Sequence, residues 1–229
     1  MNERLIRYEN LIKGEKKELF DEFKSLLLEY NKRYNLTAIT DDTEIFYKHF
    51  LDSAAGEFLF KENASVAEIG SGAGFPSVVL KILRPDLSFS LFESIGKKCE
   101  FLNVVVDKLG FLKMNIYNLR AEDGAREEKF RERYDYVTAR AVARMNTLSE
   151  YCLPFVKVGG AFVAYKGGDR EEIKESARAF KTLGGKLEKT YEYELPNGYG
   201  ERTLAVVRKT SNTPNKYPRG QGKERKQPL

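Results

Sequence analysis

The chain has 229 residues, of which 41% are hydrophobic and 32% charged, and its formal net charge is +5. This length and apolar content can bury one full core and give no reason to divide the chain into two independent folds. No apolar run reaches the ~18 residues that cross a membrane, and the N-terminus lacks a signal-peptide core, so we expect a cytoplasmic protein without a membrane partner. The two cysteines, Cys99 and Cys152, lack the number and spacing of a disulfide scaffold or zinc site, so we expect buried, reduced thiols and no metal.

Residues 1–64 predict a helical N-terminal cap. One apolar stripe recurs at helical spacing and consists of Leu19, Phe23, Leu26, Leu27 and Tyr30. A second helical stretch is predicted over residues 43–60, where His49 and Asp52 lie three positions apart on one face. Asp52 is therefore close enough to orient the imidazole of His49, the only histidine, to which we assign a structural or substrate-positioning role. A hydrogen-bonded histidine between cap and core is the interpretation we favour.

The most informative segment is Val66–Gly74, in which an apolar strand is followed by Gly70, Gly72 and Gly74. Alternating glycines let the main chain turn sharply and lie against a ligand. A dinucleotide loop would read G-x-G-x-x-G, whereas here the third glycine arrives one residue early. The E-x-G-x-G-x-G pattern that starts at Glu68 resembles the first motif of the Rossmann-like methyltransferases that use S-adenosylmethionine. A glycine-rich turn without a ligand is the alternative.

The elements after this loop have the spacing of a βαβ unit. A helix is predicted over 75–83 and a second strand over 88–92, which ends at Glu93, 19 positions beyond Gly74. An acid at this distance can accept hydrogen bonds from both ribose hydroxyls of a nucleotide-like cofactor. A helix over 97–109 and a third strand over 114–119 then place Ala121 and Glu122 beside the adenine.

Four further strands complete the predicted sheet. They cover residues 134–139, 160–165, 189–195 and 202–207, and the first of them ends at Arg140. The pattern predicts an α/β fold with a seven-stranded, doubly wound sheet. We therefore expect a cap (1–64), a cofactor-binding domain (65–209) and a basic C-terminal tail (210–229).

Positive charge is concentrated at the C-terminus. Residues 208–229 contain seven bases and one acid, a net charge of +6, whereas the whole chain carries +5. A nearly neutral body with a basic, Pro- and Gly-containing arm is typical of proteins that grip a polyanion, and nucleic acid is the partner suggested. A solvated tail that only improves solubility explains the same composition, and the sequence leaves both interpretations open.

An ordered series of motifs extends these observations over nearly the whole chain. The series consists of Asn31-Lys32-x-Tyr34-Asn35-Leu36-Thr37, His49-x-x-Asp52-Ser53, Glu68 to Pro76, Glu93-Ser94 with Lys97-Lys98, Arg120-Ala121-Glu122, Arg140-Ala141, Lys166-Gly167, Glu201-Arg202 and Lys216-Tyr217-Pro218-Arg219-x-x-Gly222-Lys223. With these motifs the chain resembles the bacterial small-subunit rRNA methyltransferases of the glucose-inhibited division B group. The resemblance implies methylation of N7 of a guanosine in 16S rRNA, with S-adenosylmethionine as cofactor and S-adenosylhomocysteine as product.

The resemblance also implies site residues. Cofactor contacts fall on Gly70, Phe75, Ala121, Glu122 and Arg140, beside the Gly72, Gly74 and Glu93 positions expected from the loop and strand ends. Arg140 faces either the methionine carboxylate or a substrate phosphate, or else forms a structural ion pair with a residue such as Glu68. Because guanine N7 presents an unprotonated lone pair, the reaction needs no base and no covalent nucleophile, and no catalytic residue is assigned.

The expected partner is 16S rRNA or the small ribosomal subunit, bound by a monomer. The candidate RNA-binding residues are Lys32, Lys166, Arg202, Lys216, Arg219, Lys223, Arg225 and Lys226. The polar turn around Asn31 and Thr37 either meets RNA or is hydrogen-bonded within the cap. An RNA-binding or assembly module without turnover, and an NAD-dependent oxidoreductase, are the alternatives to a methyltransferase.

Overall fold

A computed structural model describes residues 1–229 and begins with two helices. These are α1 (Asn2–Lys13) and α2 (Lys17–Tyr34). Three residues of the predicted stripe, Phe23, Leu26 and Leu27, are buried in α2, whereas Leu19 and Tyr30 are half-buried. Phe20, which lies outside the predicted stripe, is buried as well. The helix ends at Asn35, which adopts a left-handed conformation with φ of 50°.

The helix predicted over 43–60 is interrupted. It consists of α3 (Asp42–Glu44), a π-helix (Ile45–Leu51) and α4 (Asp52–Ala54), followed by a 3₁₀ turn (Glu57–Leu59). The Asp52 N–H donates to the carbonyl of Tyr47, five residues earlier. The wider π turn buries His49, Phe50 and Leu51 in succession, and a periodicity of 3.6 residues cannot predict this arrangement.

Seven strands form one sheet in the order β3-β2-β1-β4-β5-β7-β6. Their bounds are β1 (Ser65–Ile69), β2 (Ser88–Phe92), β3 (Met114–Tyr117), β4 (Tyr134–Arg140), β5 (Val156–Gly167), β6 (Gly185–Glu194) and β7 (Glu201–Lys209). The first five strands pair in parallel, and β7 runs antiparallel to both β5 and β6. The predicted seven-stranded, doubly wound sheet is confirmed.

Helices cover both faces of the sheet. They are α5 (Ser77–Leu83), α6 (Gly96–Lys108), α7 (Ala121–Gly124), α8 (Met145–Cys152), α9 (Glu171–Glu175), α10 (Ala177–Thr182) and α11 (Lys223–Lys226). The helix predicted from Phe75 starts two residues later, because the glycine loop continues through Pro76. Strands β5 and β6 begin four residues before their predicted starts, and β7 extends at both ends, because backbone pairing continues beyond the residues whose side chains show the strand pattern.

Two apolar clusters fill the space on either side of the sheet. One cluster joins the cap to the sheet, with Phe23, Phe50, Phe75 and Tyr165 among its members. The other lies under α8 and α10 and includes Phe162 and other residues of the central strands. The cap thus has its core in common with the sheet, and the buried stripe of α1 (Leu5, Tyr8 and Ile12) joins the same cluster as that of α2.

The C-terminal tail packs on the body of the protein. Thr213 and Tyr217 are buried, and Arg131 donates hydrogen bonds to both of their carbonyl oxygens. Arg219 forms a two-pronged ion pair with Glu150 of α8, whose carboxylate is fully buried. The predicted basic tail therefore lies against the surface of the protein body. No helix has both the length and the apolar character needed to cross a membrane.

Candidate active site

The three glycines of the loop between β1 and α5 all adopt left-handed backbone conformations, with φ of 69°, 54° and 87° at Gly70, Gly72 and Gly74. The Gly70 N–H donates to the carbonyl of Phe92 at 2.8 Å and ties the loop to β2. A Cβ atom at Gly72 would have one neighbour within 4 Å, the Gly70 carbonyl oxygen at 3.9 Å. Gly72 is therefore the point at which a ligand can approach the main chain.

Glu93, at the carboxyl end of β2, faces this loop. Its carboxylate accepts the N–H of Gly72 at 2.9 Å and the N–H of Ile95 at 2.9 Å, one on each oxygen. Burial and these two amides fix the side chain, which is 5% exposed. Each oxygen keeps a second lone pair that can accept a hydroxyl, so the arrangement suits a ribose diol. The proximity of Glu93 and Gly72 agrees with the spacing argument.

Ala121 and Glu122 begin α7 just after β3, the strand next to β2. Both residues are half-buried. The Asn118 side chain donates to the Glu93 carbonyl at 2.9 Å and joins the ends of these two strands. Ala121 and Glu122, which are expected beside the adenine, thus lie one strand away from Glu93, the expected acceptor for the ribose.

Arg140, at the end of β4, is held by the cap. Its guanidinium donates to the Asp52 carboxylate at 3.0 Å, to the Lys48 carbonyl at 2.8 Å and to His49 Nδ1 at 2.9 Å. The ion-pair partner is therefore Asp52, not Glu68 as the sequence suggested. The guanidinium carbon also lies 5.1 Å from the centre of the Phe75 ring.

His49 is a buried neutral ring. Because Nδ1 accepts from Arg140, Nε2 carries the proton and donates to Thr37 Oγ1 at 2.9 Å. Burial and the positive charge of Arg140 lower the pKa of His49 to about 3. The imidazole stacks on Phe75 with ring centres 4.4 Å apart. Both ring nitrogens thus have partners, as expected for a hydrogen-bonded histidine between cap and core. Asp52 does not orient the ring directly, because Arg140 lies between them.

The polar turn after α2 is hydrogen-bonded within the cap. The Asn31 side chain accepts the Thr37 N–H at 2.9 Å and donates to the Thr37 carbonyl at 3.0 Å. Thr37 is thereby placed against His49, while Lys32 beside it is exposed. The sequence left open whether this turn meets RNA or is hydrogen-bonded within the cap, and the structure shows hydrogen bonds within the cap.

Glu68 lies behind the loop and is fully buried. One carboxyl oxygen accepts the Ser77 N–H at 3.3 Å, and the other has no hydrogen-bond partner. Burial raises the pKa of Glu68 to about 8. A buried carboxyl oxygen without a partner next to a glycine loop is consistent with a polar ligand there.

A cavity of about 500 Å³ opens between the cap and the carboxyl ends of β4 and β5. Arg140, Lys166 and Arg202 are among its wall residues. Lys166 pairs with Glu172 at 2.9 Å and donates to the Ala143 carbonyl at 3.0 Å. Arg202 Nε lies 3.5 Å from the Asp52 carboxylate. No group of three or more His, Cys, Asp or Glu side chains is arranged to hold a metal ion.

Comparison with known proteins places this chain in a family. The family model described as rRNA small subunit methyltransferase G matches residues 16–197. The chain belongs to this family. The chain is 44% identical over 223 residues to Ribosomal RNA small subunit methyltransferase G of Lactobacillus acidophilus, covering 95% of this chain and 93% of the relative. It is 46% identical over 216 residues to the protein of that name from Brevibacillus brevis, covering 93% of this chain and 91% of the relative.

Solved structures share the fold of this methyltransferase. A protein described as a predicted O-methyltransferase from Agrobacterium tumefaciens matches with a TM-score of 0.56 and 15% identity, covering 70% of this chain and 81% of its own. TYW2 of P. horikoshii, solved in complex with MeSAdo, matches with a TM-score of 0.55 and 16% identity, covering 69% of this chain and 62% of its own. These likenesses support the Rossmann-like methyltransferase fold.

The candidate RNA-binding residues of this rRNA methyltransferase family member are not equally accessible. In the tail, Arg219 is engaged by Glu150, whereas four bases are exposed: Lys216, Lys223, Arg225 and Lys226. Arg225 donates to the Val142 carbonyl at 3.4 Å, and Lys166 contacts the neighbouring Ala143. The structure thus brings Lys166 and a tail base to the same loop after β4.

Several residues of the site escaped the sequence analysis. Lys48 contributes its carbonyl oxygen, a contact that no side-chain pattern reveals. Tyr193 of β6 donates to the Asp52 carboxylate at 2.8 Å from a strand that is distant along the chain. Val142 packs directly against the glycine loop. A Cβ atom at Gly70 would lie only 2.7 Å from a methyl group of Val142. The only sequence signal for these contacts was the hydroxyl group of Tyr193, a polar atom on a side chain that is otherwise apolar.

Proposed function

We propose that this protein transfers a methyl group from S-adenosylmethionine to N7 of a guanosine in 16S rRNA of the small ribosomal subunit. The observation that carries the proposal is the placement of Glu93 against Gly72 at the carboxyl ends of β1 and β2. Ligands of open α/β sheets bind at this edge, where the strand order reverses between β1 and β4. Family membership supports the ribosomal substrate.

We infer which residues would contact each part of the cofactor. Glu93 would accept the ribose hydroxyls, Ala121 and Glu122 would border the adenine, and the loop amides from Gly70 onward would meet the methionine portion. Phe75 and Arg140 would border the cofactor from the side of the cap. S-adenosylmethionine, when bound, supplies an electrophilic methyl group carried by a sulfonium.

The protein's part in the reaction is to position guanine N7 in line with the methyl group of the donor and to shield both from solvent. Guanine N7 has a free lone pair at neutral pH, so no side chain needs to remove a proton. His49 does not supply a free base, because its Nδ1 lone pair is taken by Arg140. Cys152 is fully buried and burial raises its thiol pKa, which disfavours a covalent nucleophile. The segment Thr138–Ala141 lacks the Pro-Pro-aromatic motif of amine methylation.

The RNA partner would be held outside the cavity. The tail carries the exposed bases Lys216, Lys223, Arg225 and Lys226, of which Arg225 reaches the loop after β4. Contacts of this kind neutralise phosphates without reading sequence and set the position of the RNA. We infer that a cytoplasmic monomer acts on rRNA or the small subunit.

The test is methyl transfer from radiolabelled S-adenosylmethionine to small subunits that lack the modification, followed by mapping of the labelled nucleotide. We expect label on N7 of one 16S guanosine. Label on another ring atom, or none, would contradict the proposal, and RNA binding without transfer would indicate an assembly module. Titration calorimetry with NAD and with S-adenosylmethionine distinguishes an NAD-dependent oxidoreductase from a methyltransferase, because the oxidoreductase would have the higher affinity for NAD.

A variant links this activity to the site. Glu93→Gln keeps the shape of the side chain, removes its charge and replaces one acceptor oxygen by an NH2 donor, so the hydrogen bonds from the ribose and from one loop amide weaken. We expect roughly tenfold weaker S-adenosylmethionine binding, the loss of about one charge-assisted hydrogen bond. The exposed Glu62→Gln is the matched control, with unchanged affinity.

A further inference from the structure

Three aromatic side chains form a patch between the cap and the hairpin that joins β6 to β7. The rings of Tyr47 and Tyr199 are stacked, with their centres 5.3 Å apart and an angle of 23° between their planes. Phe46 meets the Tyr47 ring edge-on, with a centre-to-centre distance of 4.9 Å. All three residues are half-buried and pack at the margin of the apolar cluster that joins the cap to the sheet. This aromatic patch therefore remains partly accessible to solvent.

The aromatic patch lies at the edge of the sheet where the cofactor is expected. Because β6 and β5 both run antiparallel to β7, the carboxyl end of β6 is at the same edge as the carboxyl ends of the parallel strands, and Tyr199 follows that end. Lys48, which is next to Tyr47 in the chain, and Arg202, three residues after Tyr199, both belong to the wall of the cavity beside Arg140. The aromatic patch is thus within reach of a nucleotide that neighbours the methylated one.

The hairpin presents Tyr199 from a tight turn. Asn197, Gly198 and Gly200 adopt left-handed conformations, with φ of 60°, 72° and 94°. The Leu195 N–H donates to the Gly200 carbonyl at 3.1 Å and closes the turn. A Cβ atom at Gly198 would meet no atom within 4 Å. The turn therefore holds the backbone on both sides of Tyr199, while the position before it carries no side chain and has open space around it.

The charges around the aromatic patch favour a base over a phosphate group. Two lysine Nζ atoms, of Lys13 and Lys48, lie over two of its rings, 4.7 Å and 5.1 Å from the ring centres. Lys13 is paired with Glu9 and Lys48 with Glu44, so each cation already has an acidic partner. Aromatic side chains stack on the unpaired bases of single-stranded RNA, and every base has a face that suits such a contact.

We propose that the aromatic patch is a stacking site for an unpaired base of the substrate RNA, next to the methylated guanosine, and that Tyr199 is the residue on which this base stacks. This inference rests on the proposed function. A base held there fixes the nucleotide beside it at the mouth of the cavity. The site favours single-stranded segments, because the bases of a duplex have both faces covered by their neighbours.

The test compares Tyr199→Phe and Tyr199→Leu with the wild type in binding to small subunits that lack the modification. Tyr199→Phe keeps the ring and should bind as the wild type does. Tyr199→Leu keeps an apolar side chain without the ring, so RNA affinity should fall roughly tenfold, the effect of losing one stacked base. The salt dependence of binding should keep its wild-type slope, because no phosphate contact is lost. The S-adenosylmethionine dissociation constant should not change.

Tyr191→Leu is the matched control. Tyr191 of β6 also packs on an aromatic ring of the cap, that of Phe58 at 5.2 Å, and it also has a lysine, Lys189, 4.7 Å from its ring centre. None of these three residues belongs to the cavity wall. This variant should bind RNA with wild-type affinity, although it loses a similar contact between β6 and the cap.

A second measurement needs no variant. The fluorescence of 2-aminopurine falls when this base analogue stacks on an aromatic ring. An RNA that carries 2-aminopurine in place of either neighbour of the methylated guanosine should lose fluorescence at one of the two positions when the wild-type protein binds. The chain contains no Trp, so the label is excited without a contribution from the protein.

The outcomes that would overturn the inference are specific. Wild-type RNA affinity in Tyr199→Leu, or equal losses of affinity in Tyr199→Leu and Tyr191→Leu, would show that the aromatic patch only attaches the hairpin to the cap. Unchanged or increased fluorescence at both labelled positions would also contradict stacking. If the wild-type protein transfers no methyl group, the proposed function fails, whereas the affinities of Tyr199→Leu and Tyr199→Phe are measured without turnover and still decide the stacking site.

Discussion

The three loop glycines are required for different physical reasons. A side chain at Gly70 would collide with Val142, and one at Gly74 would place its Cβ 2.5 Å from a methyl group of Val78. These two glycines therefore serve packing between the loop and its neighbours. Gly72 faces open space, and its amide is bound by Glu93. The sequence pattern predicts the glycines but cannot distinguish these roles, because they depend on residues brought in by the fold.

His49 acts at the residue scale as the part of the cap that positions Arg140. We expect His49→Phe to retain the stack on Phe75 and to lose the acceptor for the guanidinium. An unsatisfied charged donor next to the loop should weaken S-adenosylmethionine binding roughly tenfold. His49→Gln offers an amide oxygen to Arg140 and should recover much of the affinity. Calorimetry measures both constants.

The two His49 variants distinguish a role in positioning Arg140 from a purely structural role. A merely structural ring would make both variants equally unstable and leave their cofactor affinity at the wild-type value once folded. Equal affinities in His49→Phe and the wild type would therefore refute the positioning role. Transfer rates of the wild type should show no titration of His49 near neutral pH, because its pKa is about 3.

At the scale of elements, the tail is part of the fold. Arg219 is the residue that anchors it, through the buried carboxylate of Glu150, and this pairing raises the pKa of the guanidinium. Arg219→Ala should cost about 3 kcal/mol of unfolding free energy, because a buried charge loses its partner. For a chain of this size the thermal midpoint should fall by roughly 10 °C.

The control for the tail is Lys223→Ala, which removes an exposed base. Its stability should change by less than ~0.5 kcal/mol, while the salt dependence of RNA binding should become shallower. A thermal midpoint in Arg219→Ala equal to that of Lys223→Ala would contradict the anchoring role. Deleting residues 212–229 would confound the two effects, because the segment also buries Thr213 and Tyr217.

Element types were easier to predict than element ends. The apolar stripe of α2 and the parallel strands follow from periodicity and from runs of buried residues. The π-helix was not predictable, since its register depends on packing His49 and Phe50 against Phe75. The full lengths of β6 and β7 depend on backbone pairing with each other, which the exposed polar residues of β6 do not reveal.

At the scale of the whole molecule, Glu68 couples stability to pH. Its pKa is raised to about 8 by burial, so the folded state retains a proton that the unfolded chain releases near the ordinary value of 4.5. The stabilisation is present below that ordinary value and is lost as pH rises toward 8. His49 has a lowered pKa and acts in the opposite direction at more acidic pH, below its ordinary value of 6.5.

Glu68→Gln should remove this dependence. Between about pH 6 and about pH 8 the wild type should lose roughly 2 kcal/mol more unfolding free energy than the variant. Urea titrations at the two pH values measure the difference, and groups common to both proteins cancel. Parallel changes in the two proteins would show that Glu68 is ionised throughout this range.

The site as a whole was only partly predictable. Gly72 and Glu93 follow from the spacing of one βαβ unit, because such a unit brings neighbouring strand ends together. Arg140 was predicted, but its partners lie in the cap, about ninety positions earlier in the chain. Contacts between segments so far apart depend on how the cap docks, and a single sequence does not encode that docking in a recognisable pattern.

Both cysteines are sequestered, and this has a practical consequence for experiments. Cys99 donates its thiol hydrogen to the Glu93 carbonyl, Cys152 is fully buried, and burial raises the pKa of each thiol. Reagents that modify sulfur attack the thiolate, so the native protein offers them little to react with. A fluorophore or spin label attached through one cysteine engineered at the exposed Leu112 would report from a single place, with both native thiols kept.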